Sequence, residues 1–201
     1  MLMAHGSAIG ATSPDPAALI ARLARPAPAS TAFTEVRFVA MLKAPLRLRG
    51  TLTYAADGAL VRQVESPYRE TSTIAAGEVR ILRAGRAERR VPLERAPALH
   101  GFLESFAALL TGDAVRAARG YALSASGDAA AWRLELIPND PALARQVRRI
   151  TVDGREAAIR CFSVEETGGD ASVMLVEALA GTTLPAAPTR AALDALCRAT
   201  P

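Results

Sequence analysis

FTEVRFVAMLKAPLRLRGTLTYAADGALVRQVESPY, residues 33 to 68, decides how this chain folds. Strand-like segments follow one another, broken by turn signals at Lys43-Ala44-Pro45 and Ala56-Asp57-Gly58. Leu46, Leu48, Leu52 and Tyr54 fall on one face, and Arg47, Arg49, Thr51 and Thr53 on the other, with Gly50 between them. A period of two with this polarity describes an antiparallel sheet that is dry on one side and wet on the other.

Working outward, Leu60 to Val64 reads as a third strand. Residues 69–74, 79–83 and 86–91 continue the meander, with Ala76-Gly77 and Ala84-Gly85 as turns. Upstream, residues 15–25 read as a helix entered through Pro14 and Pro16, with Leu19, Ile20 and Leu23 as its apolar stripe. Downstream the period changes. Leu99, Phe102, Leu103, Phe106, Leu109 and Leu110 recur at three- and four-residue spacing, which predicts a helix over 98–110 with Glu104 and Ser105 opposite. Thr111-Gly112-Asp113 ends it, and Asp113 caps a further short turn.

Strands then resume. Tyr121 and Leu123 belong to one; Trp132, Leu134 and Leu136 share a face of the next, with Arg133 and Glu135 on the other. Pro138-Asn139-Asp140-Pro141 forces a break and a turn of helix over 142–145. Residues 147–152, 157–165 and 172–179 predict three more strands, separated by turns at Asp153-Gly154 and Gly168-Gly169-Asp170. Residues 189–198 read as a terminal helix. The sum is an α+β fold: about ten strands in a curled antiparallel sheet, an unclosed β-barrel, with helices covering its concave face. No linker divides residues 14–201, which read as a single domain. Residues 1–13 lack a basic start and a continuous apolar run and read as a leader or disordered N-terminus.

Composition narrows the function. A chain of 201 residues has ample length for one sizeable core. Net charge is +4 and the isoelectric point about 9.7, but aromatics are 4% of residues, too few for a base-stacking surface. The Arg residues are also spread along alternating strand positions. The charge therefore reads as a solvated basic face, or as mild attraction to anionic membrane surfaces, and not as nucleic-acid binding. No stretch is long and apolar enough to span a bilayer as a helix.

Catalytic constellations are missing. The histidines are His5 and His100, and neither sits in a Ser-His-Asp context or beside Cys161. Two Cys and two His match no zinc spacing. Gly168-Gly169 is a hairpin signal, not a phosphate loop. Glu165-Glu166 and Asp153/Glu156 read as solvated charge at strand ends. Neither a metal nor a cofactor is expected, and a binding protein is favoured over an enzyme. Cys161 lies in a predicted strand and Cys197 in the terminal helix. An oxidising compartment permits a bridge between them, pinning the C-terminus to the sheet; the alternative is two unrelated thiols, one buried as a small hydrophobe.

The order of pieces resembles the LolA-like family of periplasmic lipoprotein and lipid carriers. The "LKAPL" turn, the "GTLTY" strand, the "DG" hairpin and the "SPY" exit open it. "LLTGD" (109–113), "AWRLELIPND" (131–140) and "RRITVDGREAAIRCFSVEETGGDASVMLV" (148–176) continue it. The resemblance covers about residues 14 to 179. It implies an apolar cavity for the acyl chains of a lipoprotein or lipid, and a monomeric periplasmic carrier working between an inner-membrane donor and an outer-membrane acceptor, with transient contact to the membrane surface. The expected cavity wall is Val36, Phe38, Leu48, Leu52, Leu60, Phe102, Phe106, Leu123, Trp132, Leu134, Ile150, Phe162 and Met174.

One departure matters. Well-known carriers of this family keep an Arg-Pro after the first hairpin, whose Arg latches the lid helices; here that place reads Tyr54-Ala55-Ala56-Asp57. Arg62, sharing a face with Leu60 and Val64, is a substitute for the polar lid contact; the alternative is an edge-strand Arg whose stem packs while its head reaches water. The absent latch makes a lipid or glycolipid cargo as fitting as a lipoprotein. The second reading of the whole chain is a non-catalytic envelope interaction module using the same fold.

Overall fold

A computed structural model describes residues 13–95 and 105–199. Eleven strands form one antiparallel sheet: β1 (Ala29–Phe38), β2 (Leu46–Tyr54), β3 (Leu60–Ser66), β4 (Glu70–Ala75), β5 (Glu78–Arg83), β6 (Arg89–Pro92), β7 (Tyr121–Gly127), β8 (Trp132–Pro138), β9 (Val147–Arg155), β10 (Ala158–Glu166) and β11 (Ala171–Val176). The order across the sheet is β6-β5-β4-β3-β2-β1-β11-β10-β9-β8-β7. Two meanders are thus joined along one seam, where β1 pairs with β11 from Phe33↔Val176 to Phe38↔Ala171. β6 and β7 lie at opposite edges and do not pair with each other, so the curled sheet stays open.

The helices divide between the two faces. α1 (Pro16–Arg22) is started by Asp15, whose carboxylate accepts the N–H groups of Ala17 and Ala18 at 3.3 and 3.1 Å, with Pro16 in the first turn. α2 covers residues 105–111; the rest of the apolar repeat predicted over 98–110, with Phe102, lies outside the described residues. α3 (Ala114–Gly120) is capped by Asp113, which accepts the Arg116 N–H at 2.8 Å. Leu19, Ile20 and Leu23, with Ala117 of α3 and Leu109 of α2, pack on the inner face of β7 to β9 against Trp132, Leu134, Leu136, Ile150 and Val152. α4 (Pro141–Ala144) is a single turn begun by Asp140.

The terminal helix α5 (Arg190–Arg198) lies on the outer face, over β9 and β11. Leu193 and Cys197 there cover Val36, Cys161, Val173 and Leu175, a second small core. Not every helix covers the concave face, therefore. The cause is visible in α5 itself, whose apolar positions form one stripe and need a surface of their own. The disulfide joins Cys161 on β10 to Cys197 on α5, with 36 residues between them in sequence.

Two glycines carry backbone geometry that no other residue allows. A side chain at Gly50 would meet the Gln63 carbonyl oxygen at 1.8 Å, at a register shift between β2 and β3. The two backbones approach closely there, which a residue without a side chain permits. Gly154 lies under the Trp132 ring, with the nearest ring carbon 2.1 Å from where a β-carbon would stand. Asp153-Gly154 was expected as a turn, but β9 runs on through Arg155 and turns at Glu156. Gly154 serves the indole and not a hairpin. Trp132 completes its contacts by donating Nε1–H to the Glu156 carbonyl at 3.0 Å.

Candidate functional site

Cross-strand partners share a face, so register fixes which side chains point inward. Leu48 stands opposite Glu35, Leu52 opposite Thr31 and Arg62, and Leu60 opposite Ile74. On the other meander Phe162 stands opposite Met174 and Val152. These residues belong to the inner face, where a cavity of about 380 Å³ opens between the two meanders. Its apolar wall is Leu52 and Leu60, Ile74 and Ile81, Phe162, Val164 and Met174, closed on the helix side by Phe106. Phe106 and Phe162 lie 5.1 Å apart between ring centres at a tilt of 57°, a favourable aromatic arrangement. The size falls in the range of small-ligand sites.

A charged pair stands inside this apolar wall. Glu35 is only 7% exposed and is held in a close ion pair by Arg62, with Arg37 3.8 Å away on its other oxygen. Arg62 also lies over the Phe33 ring, 5.0 Å from its centre. Phe33 is opposite Gly50. Arg62 therefore reaches from β3 to β1 across the one position of β2 that has no side chain. β3 is flanked by β2 and β4, so Arg62 is not an edge-strand residue. Among the described residues its partners, Glu35 and Phe33, come from the sheet and not from a lid helix.

The outer face carries a second charged cluster. Arg133 donates from Nε and Nη2 to the two carboxylate oxygens of Asp153 at 2.8 and 2.9 Å, and from Nη2 to Asp194 of α5 at 2.6 Å. Arg198 binds the other Asp194 oxygen at 2.5 Å. Asp153 is 1% exposed. Burial pushes its carboxyl above the usual range, against the opposing pull of Arg133. Burial also acts to raise Asp194, but the hydrogen bond and charge of Arg133, with Arg198, hold it below the usual range. The hydrogen bonds that Arg133 donates to Asp153 raise the guanidinium above its ordinary value, despite burial. Asp153 is not solvated turn charge; it is half of a buried pair that docks α5 on the sheet. Arg133 and Asp153 are register partners, a match that alternation along β8 and β9 could have revealed. Among the described residues, no group of three or more His, Cys, Asp or Glu side chains could hold a metal ion.

The expected wall divides into three groups. Leu52, Leu60, Phe106, Phe162 and Met174 line the cavity, and Arg62 joins them. Leu48, Trp132, Leu134 and Ile150 face the same interior but are closed into its solid core, with Leu123 packed partly against it. Val36 and Phe38 point the other way. Val36, the register partner of Arg47, belongs to the outer core under α5, and Phe38 packs partly against it. Because β1 is covered on both sides, four successive residues from Phe33 to Val36 are buried, and burial alone does not tell the faces apart. The reading of the sequence missed Ile74, Ile81, Val164 and Glu35 as cavity residues. For the first three, alternation from Leu60, Val79 and Phe162 would have found them.

The family described as "Outer membrane lipoprotein carrier protein LolA-like" matches residues 8–200. Among solved structures, the chain is similar to a LolA superfamily protein from Nitrosomonas europaea, at 9% identity over 84% of this chain and 92% of that one, with a TM-score of 0.43. It is also similar to the MucA/MucB complex of Pseudomonas aeruginosa, at 15% identity over 90% of this chain and 60% of that one (TM-score 0.45). LprF from Mycobacterium bovis follows at 12% identity over 89% and 99% (TM-score 0.38). Comparison with curated proteins gives no match. With the family match spanning nearly its whole length and an unclosed antiparallel sheet wrapped around an apolar cavity, the chain belongs to the LolA-like family of outer membrane lipoprotein carrier proteins.

Proposed function

We propose that this protein binds acyl chains of a lipid or lipoprotein in the inner-face cavity and ferries them across the periplasm, from an inner-membrane donor toward an outer-membrane acceptor. It acts as a monomeric carrier, without cofactor or catalytic step. The observation that carries the reading is the cavity between Leu52, Leu60, Phe106, Phe162 and Met174, in a chain of a lipoprotein-carrier family. Each methylene of an acyl chain left in water costs about 0.8 kcal/mol, so a long chain needs cover on the way. Leu, Ile and Met side chains have rotamers to spare and can reshape around different tails. The disulfide between Cys161 and Cys197 supports an oxidising compartment such as the periplasm.

Native mass spectrometry of gently purified protein tests this directly. A co-purified acyl species, displaced by a fluorescent fatty acid, is the expected result. Protein that carries no acyl species and takes up no fatty acid from solution would sink the proposal.

A further inference from the structure

We propose that the loop between β1 and β2, residues 39–45, docks the mouth of the cavity on an anionic lipid surface. Met41 is 93% exposed and Leu42 47%. Single exposed apolar residues are ordinary. Here two are adjacent at a loop tip, followed at once by Lys43, the sole lysine of the chain. The tip has a defined shape: the Leu42 N–H donates to the Val39 carbonyl at 2.9 Å, and the Ala40 N–H to Asp170 Oδ1 at 2.9 Å. The second bond ties it to the turn between β10 and β11.

That tie puts the loop beside the cavity's polar rim. Arg37, at the end of β1, lines the cavity, as do Glu166 and Ser172 on either side of the turn that carries Asp170. The turns of β3–β4 and β5–β6 lie at this same end of the sheet and present Arg69 and Arg86, both exposed. Among the described residues Lys43, Arg69 and Arg86 have no ion-pair partner. Of the acids nearby, Glu70 is taken by Arg83 at 3.1 Å, Glu88 by Arg90 at 2.8 Å, and Asp170 by the loop backbone. Glu65 and Glu166 remain against three cations, and the whole chain is at +4. Apolar side chains that enter the headgroup boundary, ringed by cations that meet lipid phosphates, are how a peripheral protein holds a membrane surface. A tail leaving the bilayer beside Met41 would then meet the cavity mouth without crossing open water.

The proposal says how the cargo site reaches lipid, and it rests on that reading. Co-sedimentation with vesicles of phosphatidylglycerol and phosphatidylcholine tests it. The protein is expected to pellet with mixed vesicles and to be released by high salt. The double substitution Met41→Ser with Leu42→Ser lowers partitioning by about tenfold or more, and Lys43→Gln by about fivefold at low salt. Val115→Ser, which alters an exposed apolar residue of α3, leaves it unchanged. Uptake of a fluorescent fatty acid from vesicle-free solution should stay at the wild-type level in the loop variants, showing fold and cavity intact. Wild-type protein that never pellets, or a double variant that pellets as wild type does, overturns the docking loop. Protein that docks but takes up no fatty acid would break the cargo reading and leave the docking loop standing.

Discussion

The inner face of the sheet has two halves built from the same kinds of side chain. Over β7 to β9, Trp132, Leu134, Leu136, Ile150 and Val152 meet Leu19, Ile20 and Leu23 of α1, and the space is filled. Over β2 to β5, β10 and β11, Leu52, Leu60, Ile74, Phe162 and Met174 face a void. Hydrophobicity does not separate them. What separates them is a helix: α1 and α3 settle on the first half, while Phe106 and the Arg62–Glu35 pair border the second. The lesson is that an apolar wall becomes a core or a container according to what is laid across it.

The contrast can be broken first by truncation. Trp132→Ala in the filled half removes a ring wedged on Gly154 and should cost about 3–5 kcal/mol in denaturant unfolding. Met174→Ala in the hollow half should cost less than the Leu/Met range of about 2–5 kcal/mol for solid cores, because one side of that residue already faces a void. Equal losses would mean that the cavity is filled in solution. Reduction of Cys161–Cys197 removes a closure over 36 residues and should lower stability by about 3–4 kcal/mol, with α5 loosened and acyl uptake retained.

The charged pair sharpens the contrast at a smaller scale. Arg62→Met leaves Glu35 buried beside the more distant Arg37 and should cost about 1–3 kcal/mol. Adding Glu35→Gln should recover part of that loss and raise uptake of a neutral acyl probe. A double variant as unstable as Arg62→Met alone would show that the pair is not a coupled unit. The smallest effect is in pH. Asp194 is held below the usual carboxylate range, so its contribution is present above the unfolded value and is lost as pH falls through the lower folded one. Asp194→Asn should flatten the acid side of the thermal midpoint curve. Asp153, raised chiefly by burial, acts in the opposite sense; the Asp194 charge adds to that rise, so the substitution also eases Asp153 downward and offsets part of the flattening.

Much of this was legible beforehand, and the exceptions share a cause. The meander, the cap at Asp113 and the faces of β2 and β8 followed from period and turn chemistry, because each of those strands has one wet side. β1 does not. With α5 outside and the cavity inside, Val36 and Phe38 look like inner residues to any reading that equates apolar with inward. Asp153-Gly154 misled for a related reason. Asp-Gly is a strong turn signal, yet the acid was needed by Arg133 and the glycine by Trp132, both on the neighbouring strand. Long-range partners set those residues, and local pattern is blind to them. The seat of α5 was half visible: its stripe demanded a surface, and only the fold could say which.

The bridge from Cys161 to Cys197 has a mechanical consequence. Cys161 is next in sequence to Phe162, so β10 is riveted to α5 on its outer side at the point where its inner side walls the cavity. Arg160 and Arg155 add ties to the carbonyls at the end of α5. The opposite wall, β3 to β6, has no outer helix among the described residues. The container is therefore a book with one stiffened cover and one free leaf, and cargo too wide for the resting space would enter by bending the leaf. Amide hydrogen exchange should report the same asymmetry, fast in β4 and β5 and slow in β9 and β10.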